Sequence, residues 1–204
     1  MAYKAVLFDL LTALIDSWSL WDAVAESRED GRRWRAEYLR ITYGEGRYRP
    51  YEVLVREAAV ATGLPARRAD ELAARYGELR PWPDAARALG GLRVPLGVVT
   101  NCSEALARVA VGCTGVDFAV TVSAERAGWY KPRPEPYRLA LAELGTAPEE
   151  TLFVAGSAYD LFGAAGAGMT VFWHDRVGMA MPEGAPTPLV RSETLLQLPG
   201  LVAS

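Results

Sequence analysis

Residues 4–9, Lys-Ala-Val-Leu-Phe-Asp, form a short apolar run that ends in a carboxylate. An uninterrupted apolar run of this length is typical of a strand buried on both faces of a parallel sheet. Open α/β sheets keep their sites at the carboxyl ends of the strands, so we expect Asp9 at that edge. This stretch therefore predicts the class of fold and the first candidate for chemistry.

The rest of the chain divides into two parts. Residues 18–80 carry apolar and aromatic residues at helical spacing and no strand pattern, whereas helices and strands alternate after Pro81 and Pro83. Such alternation builds a parallel sheet. We predict an α/β fold with a Rossmann-like parallel-sheet core domain, residues 1–14 and 81–204, interrupted by a helical insert, residues 15–80. Within the second part we predict strands at 94–100, 118–123, 151–155 and 169–173 and helices at 84–91, 103–111, 135–144, 158–167 and 192–198, the last after an irregular stretch at 178–188.

The composition excludes several classes of protein. Of the 204 residues, 50% are hydrophobic and 23% are charged, and the net charge is -3, which does not favour nucleic acid or an anionic membrane as partner. Cys102 and Cys113 lack the spacing of a disulfide framework or a zinc site. No stretch approaches the ~20 apolar residues of a membrane span, and the chain begins almost at once with a strand instead of a signal peptide. We expect a cytoplasmic enzyme and leave its oligomeric state open, with a homodimer as one option.

Polar residues follow each of four predicted strands. They are Asp9, Thr100 with Asn101, Lys131 before Pro132, and Asp160 after the segment 155–157. Because parallel strands end at one edge of a sheet, we expect these side chains to meet there. An aspartate can attack carbon or phosphorus and form an ester that water cleaves, and a lysine beside it keeps it ionised. Threonine and asparagine can hold a carboxylate or phosphate oxygen.

In this order the segments resemble the haloacid dehalogenase superfamily over nearly the whole chain. The matching segments are 7–14 (LFDLLTAL), 97–103 (GVVTNCS), 130–132 (YKP) and 152–160 (LFVAGSAYD). The helical insert lies where that superfamily places its helical cap domain. The resemblance implies a hydrolase whose cleft, between core and cap, closes around a small substrate.

Two positions separate this chain from the phosphatases of that superfamily. Those enzymes carry a second aspartate two residues after the nucleophile and a magnesium-binding aspartate in the last motif, where Leu11 and Gly156 stand here. Magnesium would be left with Asp9, a backbone oxygen and at most Asp160, a poor ligand set for a hard cation. We therefore expect no metal site and no cofactor, and phosphoryl transfer is disfavoured.

The remaining pattern is similar to the (S)-2-haloacid dehalogenase subgroup, and this resemblance implies roles for single residues. Asp9 would attack the carbon that bears the halogen, and the halide would leave toward Arg35. Lys131 would orient and stabilise Asp9, and Asp160 would prepare the water that cleaves the ester. The substrate would be a small organic acid, and the products a 2-hydroxy acid and a halide ion. The substrate-binding residues implied in this way are Leu10, Leu11, Thr100, Asn101, Tyr137 and Ser157.

The chain also departs from that subgroup. Thr12 and Ala13 stand where the subgroup has glycine and threonine, and Ala155 and Ser157 stand where it has serine and asparagine. These changes remove hydrogen bonds that would support the nucleophile, and loose support costs rate. A changed substrate or weak activity therefore stays open.

Alternatives remain for the function and for single residues. Besides metal-independent hydrolysis of a carbon–halogen bond, the pattern allows attack on another activated carbon of a small acid, a degenerate member that binds without turnover, or a phosphatase. Arg35 could be a solvated surface residue, Asp160 a charge at a helix N-terminus, and Tyr137 part of the core. The single histidine, His174, is expected to be structural, because no serine lies in a nucleophile elbow. The aromatic residues that either form the core of the insert or line an apolar pocket are Trp18, Trp21, Trp34 and Tyr38.

Overall fold

A six-stranded parallel sheet forms the centre of the computed structural model, which describes residues 3–203. Its strands are β1 (Ala5–Asp9), β2 (Leu96–Thr100), β3 (Val120–Ser123), β4 (Thr151–Ala155), β5 (Thr170–His174) and β6 (Val190–Ser192). They lie in the order β3-β2-β1-β4-β5-β6. The predicted α/β fold is therefore confirmed, with β1 near the middle of the sheet.

The apolar run of β1 is buried on both faces, as its sequence predicts. All five of its residues are buried. Val6 and Phe8 belong to one apolar cluster and Leu7 to the other, because successive side chains of a strand point to opposite faces. Asp9 pairs with Val99 of β2, which brings the carboxyl ends of the two strands together.

Helices cover both faces of the sheet and fill the insert. The helices of the insert are α1 (Ser17–Ala25), α2 (Arg28–Glu45), α3 (Tyr51–Ala61) and α4 (Arg67–Ala74). Those of the remaining chain are α5 (Ala85–Gly90), α6 (Glu104–Thr114), α7 (Ala124–Ala127), α8 (Pro134–Leu144), α9 (Asp160–Gly166) and α10 (Leu198–Ala203). No helix within residues 3–203 is long and apolar enough to cross a membrane.

The two ends of the insert leave the sheet side by side. Ile15 and Pro81 form an isolated antiparallel bridge. The backbone N–H of Asp16 donates to the carbonyl of Arg80 at 2.9 Å, and that of Trp82 donates to the carbonyl of Leu14 at 2.9 Å. The two chain connections between the sheet and the helices of residues 15–80 thus run side by side, while the division into two domains stays a prediction.

The carboxyl-terminal prediction is wrong. The sequence predicts a helix at 192–198, but residues 190–192 form the edge strand β6, and the helix α10 begins only at Leu198. β6 forms because Val190 and Ser192 pair with Phe172 and His174 of β5. The local sequence pattern does not reveal this partner strand.

Pro199 lies in the first turn of α10, where the backbone N–H that proline lacks would have no partner within the helix. The short helix α7 was also not predicted, whereas the irregular stretch at 178–188 is confirmed.

The packing of α9 against α8 requires a glycine at position 163. A Cβ at this position would lie 2.5 Å from the hydroxyl oxygen of Tyr137 on α8. A Cβ at Gly166, on the same helix, would meet no atom within 4 Å. We expect Gly163→Ala to lower the free energy of unfolding by about 1–3 kcal/mol, because the buried tyrosine has to shift. Gly166→Ala is the matched control and is expected to cost nothing. Urea unfolding of both variants tests this, and equal stabilities would contradict the packing argument.

Candidate active site

The carboxylate of Asp9 lies at the end of β1 and at the start of a buried π-helical turn, Leu10–Leu14. One of its oxygens, Oδ2, accepts hydrogen bonds from the backbone N–H groups of Thr12 at 3.0 Å and Ala13 at 3.2 Å. The turn closes through a bond from the N–H of Ile15 to the carbonyl of Leu10. The side chain of Asp9 is thus held by the free donors of the turn that it begins.

Lys131 connects Asp9 to a second carboxylate. Its Nζ lies 2.9 Å from Oδ1 of Asp9 and 3.1 Å from the carboxylate of Asp160. Burial favours the neutral amine, but the two carboxylates outweigh burial, and the pKa of Lys131 lies above its ordinary value. Asn101 holds the backbone of Lys131 from both sides, since its Oδ1 accepts from the Lys131 N–H and its Nδ2 donates to the Lys131 carbonyl.

Asp160, the first residue of α9, is almost completely buried. The hydroxyl of Tyr137 donates to its Oδ1 at 2.6 Å. Burial raises the pKa of Asp160, and the charge of Asp9 adds to that rise, while Lys131 opposes it. A carboxylate with a raised pKa beside a second, charged carboxylate is a typical general base.

Arg35 of α2 enters the site from the helical insert. Its side chain is buried, and its guanidinium donates to the hydroxyls of Ser17 at 2.5 Å and Thr12 at 2.9 Å and to the carbonyl of Leu11 at 3.4 Å. It also lies 4.3 Å from the ring of Trp18. Burial lowers the pKa of Arg35. No carboxylate within residues 3–203 forms an ion pair with it, and its Nε has no hydrogen-bond partner there. A buried cation without a direct ion pair is suited to receive an anion.

Two further side chains of α2 connect the insert to the sheet. The hydroxyl of Tyr38 donates to the carbonyl of Asn101 at 2.7 Å. The hydroxyl of Tyr43 shares a hydrogen bond of 2.5 Å with Ser157, and its ring stacks on Tyr159 at 4.0 Å. Sequence analysis did not identify Tyr43, because an aromatic residue on an amphipathic helix is normally part of a core.

The cavity above Asp9 gathers most of the predicted residues. Its volume is about 30 Å³, and Asp9, Arg35, Lys131 and Asp160, the four predicted catalytic residues, all line it. The predicted substrate contacts that line it are Leu11, Asn101 and Ser157.

Leu10, Thr100 and Tyr137 are buried and do not belong to the lining of this cavity. Tyr137 instead holds Asp160, and Thr100 lies 3.7 Å from the sulfur of Cys102. Their roles as substrate contacts remain predictions.

The other aromatic residues of the insert divide between core and site. Trp34 is fully buried, and its Nε1 donates to the carbonyl of Val55. Trp21 is buried and packs edge-on against Trp34. Tyr38 lines the cavity, and Trp18 lies against Arg35.

The residues present do not fit a magnesium site. A Cβ at Gly156 would lie 2.2 Å from the backbone nitrogen of Ala13, so position 156 has no room for any side chain, and hence none for an aspartate. Lys131, a cation, already occupies the space between Asp9 and Asp160. Within residues 3–203, no three histidine, cysteine, aspartate or glutamate side chains form a group suited to a metal ion.

Known proteins share both the sequence and the architecture of this chain. The (S)-2-haloacid dehalogenase of Xanthobacter autotrophicus is 30% identical, over 98% of this chain and 90% of that protein. The solved structure of L-2-haloacid dehalogenase from Xanthobacter autotrophicus with chloropropionic acid covalently bound has a TM-score of 0.88 and 26% identity, over 98% of each chain. A dehalogenase solved as an intermediate complex has a TM-score of 0.84 and 27% identity, over 100% of this chain and 98% of that one.

Residues 3–168 match the haloacid dehalogenase-like hydrolase family, which is more than half of the chain. The Asp9 carboxylate at the end of β1, the lysine beside it and the parallel sheet beneath them agree with that match. This chain therefore belongs to the haloacid dehalogenase-like hydrolases.

Proposed function

We propose that this hydrolase cleaves the carbon–halogen bond of a 2-haloacid through an ester on Asp9, without a metal ion. One observation carries the proposal: a carboxylate and a buried, unpaired guanidinium line the same cavity. Asp9 is held by donors from the turn and from Lys131. Among residues 3–203, the hydrogen bonds of Arg35 go only to neutral oxygen atoms. The site thus combines a nucleophile with a receptor for an anion.

The first step forms the ester. Oδ1 of Asp9 attacks C2 of the acid, and the bond between C2 and the halogen breaks with its electron pair on the halide. Arg35 lies where it can stabilise the departing anion or the substrate carboxylate, and its burial strengthens either interaction. Lys131, whose Nζ lies 2.9 Å from Oδ1, holds the attacking oxygen in place. The halide leaves without a proton, so this step needs no general acid. An apolar residue, Leu11, can therefore stand where the phosphatases have their acid.

The second step cleaves the ester. Asp160 removes a proton from water, and the oxygen of that water attacks Cγ of Asp9. Negative charge then develops on Oδ2, which the N–H groups of Thr12 and Ala13 already hold. When the intermediate collapses, the hydroxy acid leaves with the proton that Asp160 carried. The second proton of the water passes to solvent, and Asp9 is restored as a carboxylate.

Two residues that differ from the haloacid dehalogenase subgroup, Thr12 and Ser157, form other hydrogen bonds in this chain. The hydroxyl of Thr12 accepts from Arg35, and Ser157 pairs with Tyr43 of the insert. Lys131 still joins both carboxylates, which is the arrangement that catalysis needs and that a non-catalytic relative would have no reason to keep.

We assign residues 15–80 the role of a cap, because the insert supplies Arg35 and covers the cavity.

Loss of the nucleophile tests the reaction. We expect Asp9→Asn to reduce halide release from 2-chloropropionate by more than about 10³-fold, because the amide cannot form the ester. EDTA should leave the rate of the unchanged protein as it is. Asp117→Asn, an exposed aspartate, is the matched control and should retain full activity. A magnesium-dependent phosphatase activity of comparable rate would refute the proposal.

The pH dependence of ester cleavage tests Asp160. The rate of this step should fall as the pH drops through the raised pKa of Asp160, at a higher pH than for an ordinary carboxyl group, since only the ionised form accepts the proton. Formation of the ester removes the charge of Asp9, so the transition should lie below that of the free protein. Rapid-quench mass spectrometry of the ester gives this rate. Asp160→Asn should accumulate the ester at every pH, and rapid turnover by this variant would exclude Asp160 as the base.

Removal of the unpaired cation tests the anion receptor. We expect Arg35→Met to lower kcat/KM by about 10²–10³-fold, because a developing or bound negative charge loses its buried partner. Arg33→Met removes an exposed arginine from the same helix and should change kcat/KM less than about twofold. Thermal unfolding of both variants checks that the fold is retained. Equal activity of the two variants would show that Arg35 does not meet the substrate.

A further inference from the structure

The π-helical turn that holds the carboxylate of Asp9 is itself held from outside, through its backbone carbonyls. The N–H groups of Thr12 and Ala13 donate to Oδ2 of Asp9. The carbonyls of the same two residues face side chains from distant segments. Nε1 of Trp82 donates to the carbonyl of Thr12 at 2.8 Å, and Nδ1 of His174 lies 2.8 Å from the carbonyl oxygen of Ala13. Each residue that binds the carboxylate oxygen is therefore fixed a second time, through its own carbonyl.

The surroundings of His174, the last residue of β5, decide which of its ring nitrogens carries a proton. The residue is fully buried, and burial lowers its pKa, so the ring is neutral and has a single N–H. Its Nε2 lies 3.3 Å from the carbonyl oxygen of Glu193, which already accepts a hydrogen bond from Arg176 at 2.6 Å. The shorter contact, to Ala13, therefore takes the proton, and Nδ1 of His174 is the donor.

Support through the backbone matters here because the side chain at position 13 cannot give it. Ala13 stands where the haloacid dehalogenase subgroup has threonine, so no hydroxyl at this position can hold the nucleophile. The place of the Ala13 N–H then depends on the backbone of the turn, which His174 fixes at the adjacent carbonyl. The imidazole is in turn packed edge-on against the ring of Trp82, at 6.4 Å between centroids. A rigid support of this kind maintains the geometry that a fast reaction needs.

We infer that His174 is a positioning residue for ester cleavage, because its bond to the Ala13 carbonyl keeps the N–H groups of the turn directed at Oδ2 of Asp9. This inference rests on the proposed function, in which negative charge develops on Oδ2 while the ester is cleaved. During ester formation Oδ1 attacks and the carboxylate loses its charge, so donors at Oδ2 do not accelerate that step. Loss of the bond from His174 should therefore slow the second step and not the first.

Separate measurement of the two steps tests the inference. His174→Leu removes the donor and nearly keeps the size of the side chain. We expect ester cleavage to slow at least about tenfold in this variant and ester formation to change less than about threefold, because only cleavage places charge on Oδ2. The ester on Asp9 should then accumulate. Rapid-quench mass spectrometry with 2-chloropropionate gives both rates. Equal losses in the two steps, or no loss in either, would overturn the inference.

Two further variants separate the donated bond from the general effect of changing the core. His174→Asn keeps an N–H one bond beyond Cγ, as in Nδ1 of histidine, and should retain ester cleavage within about threefold. Thr151 is fully buried at the start of β4, beside Ala5 at the end of β1 opposite to Asp9, and its hydroxyl donates to a backbone carbonyl. Thr151→Val should change neither step more than about twofold. A loss in His174→Asn as large as in His174→Leu would show that donation is not the cause.

Amide hydrogen exchange, measured by NMR without any substrate, separates this inference from the proposed function. We expect the N–H of Ala13 to exchange at least about tenfold faster in His174→Leu than in Thr151→Val, because the turn opens more readily once its carbonyl is released. If no haloacid reacts but exchange rises in this way, the proposed reaction fails and the hold of His174 on the turn stands. Equal exchange of this N–H in the two variants would overturn the role of His174 whatever the reaction.

Discussion

A buried carboxylate is stable only where hydrogen-bond donors and cations surround it. The rest of the site is arranged around the carboxylate of Asp9 for this reason. The residue is only 6% exposed. Its donors come from two distant segments, the turn after β1 and Lys131 before α8. Asp160 adds a second negative charge and Arg35 a second positive one. Lys131 forms ion pairs with both carboxylates, whereas Arg35 lines the same cavity without a direct ion pair to either of them.

The π-helical turn after Asp9 is a consequence of that requirement. By widening the turn, the chain directs two N–H groups at one carboxylate oxygen and leaves several carbonyl groups without partners inside the turn. Side chains from elsewhere satisfy these carbonyls. Ser17 donates to Leu11, Trp82 to Thr12, and His174, whose pKa burial lowers, donates through Nδ1 to Ala13. Gly156 completes the arrangement, because only a residue without a Cβ allows the end of β4 to approach the turn this closely.

One helix of the insert, α2, supplies most of what the sheet does not. It carries Arg35, which faces the nucleophile, Tyr38, which donates to the loop after β2, and Tyr43, which bonds to the loop after β4. Since these residues lie on one helix, a small displacement of the insert would change the position of the cation and the lining of the cavity together. The sheet therefore supplies the carboxylates and the lysine, and the insert supplies the arginine.

The sequence by itself determined the parallel sheet, the position of the helical insert and the residues at the strand ends around Asp9, because these follow from local periodicity and from the rule that parallel strands end at one edge. Arg35 and Tyr137 followed only from the resemblance to the family. It also indicated that Leu11 and Gly156 argue against a phosphatase. It did not predict the edge strand β6, whose hydrogen bonds depend on β5, or the reason for Gly156, which is a contact with a turn more than a hundred residues earlier.

Only the tertiary structure decided that Arg35 is buried with no ion pair to any of residues 3–203, that Tyr137 holds Asp160, and that Tyr43 bonds to Ser157 at the wall of the cavity. Helical spacing states which residues share a face, but it does not state what that face meets. The partner of each of these side chains comes from a different part of the chain. Such pairings arise from packing in three dimensions, and the local sequence does not predict them.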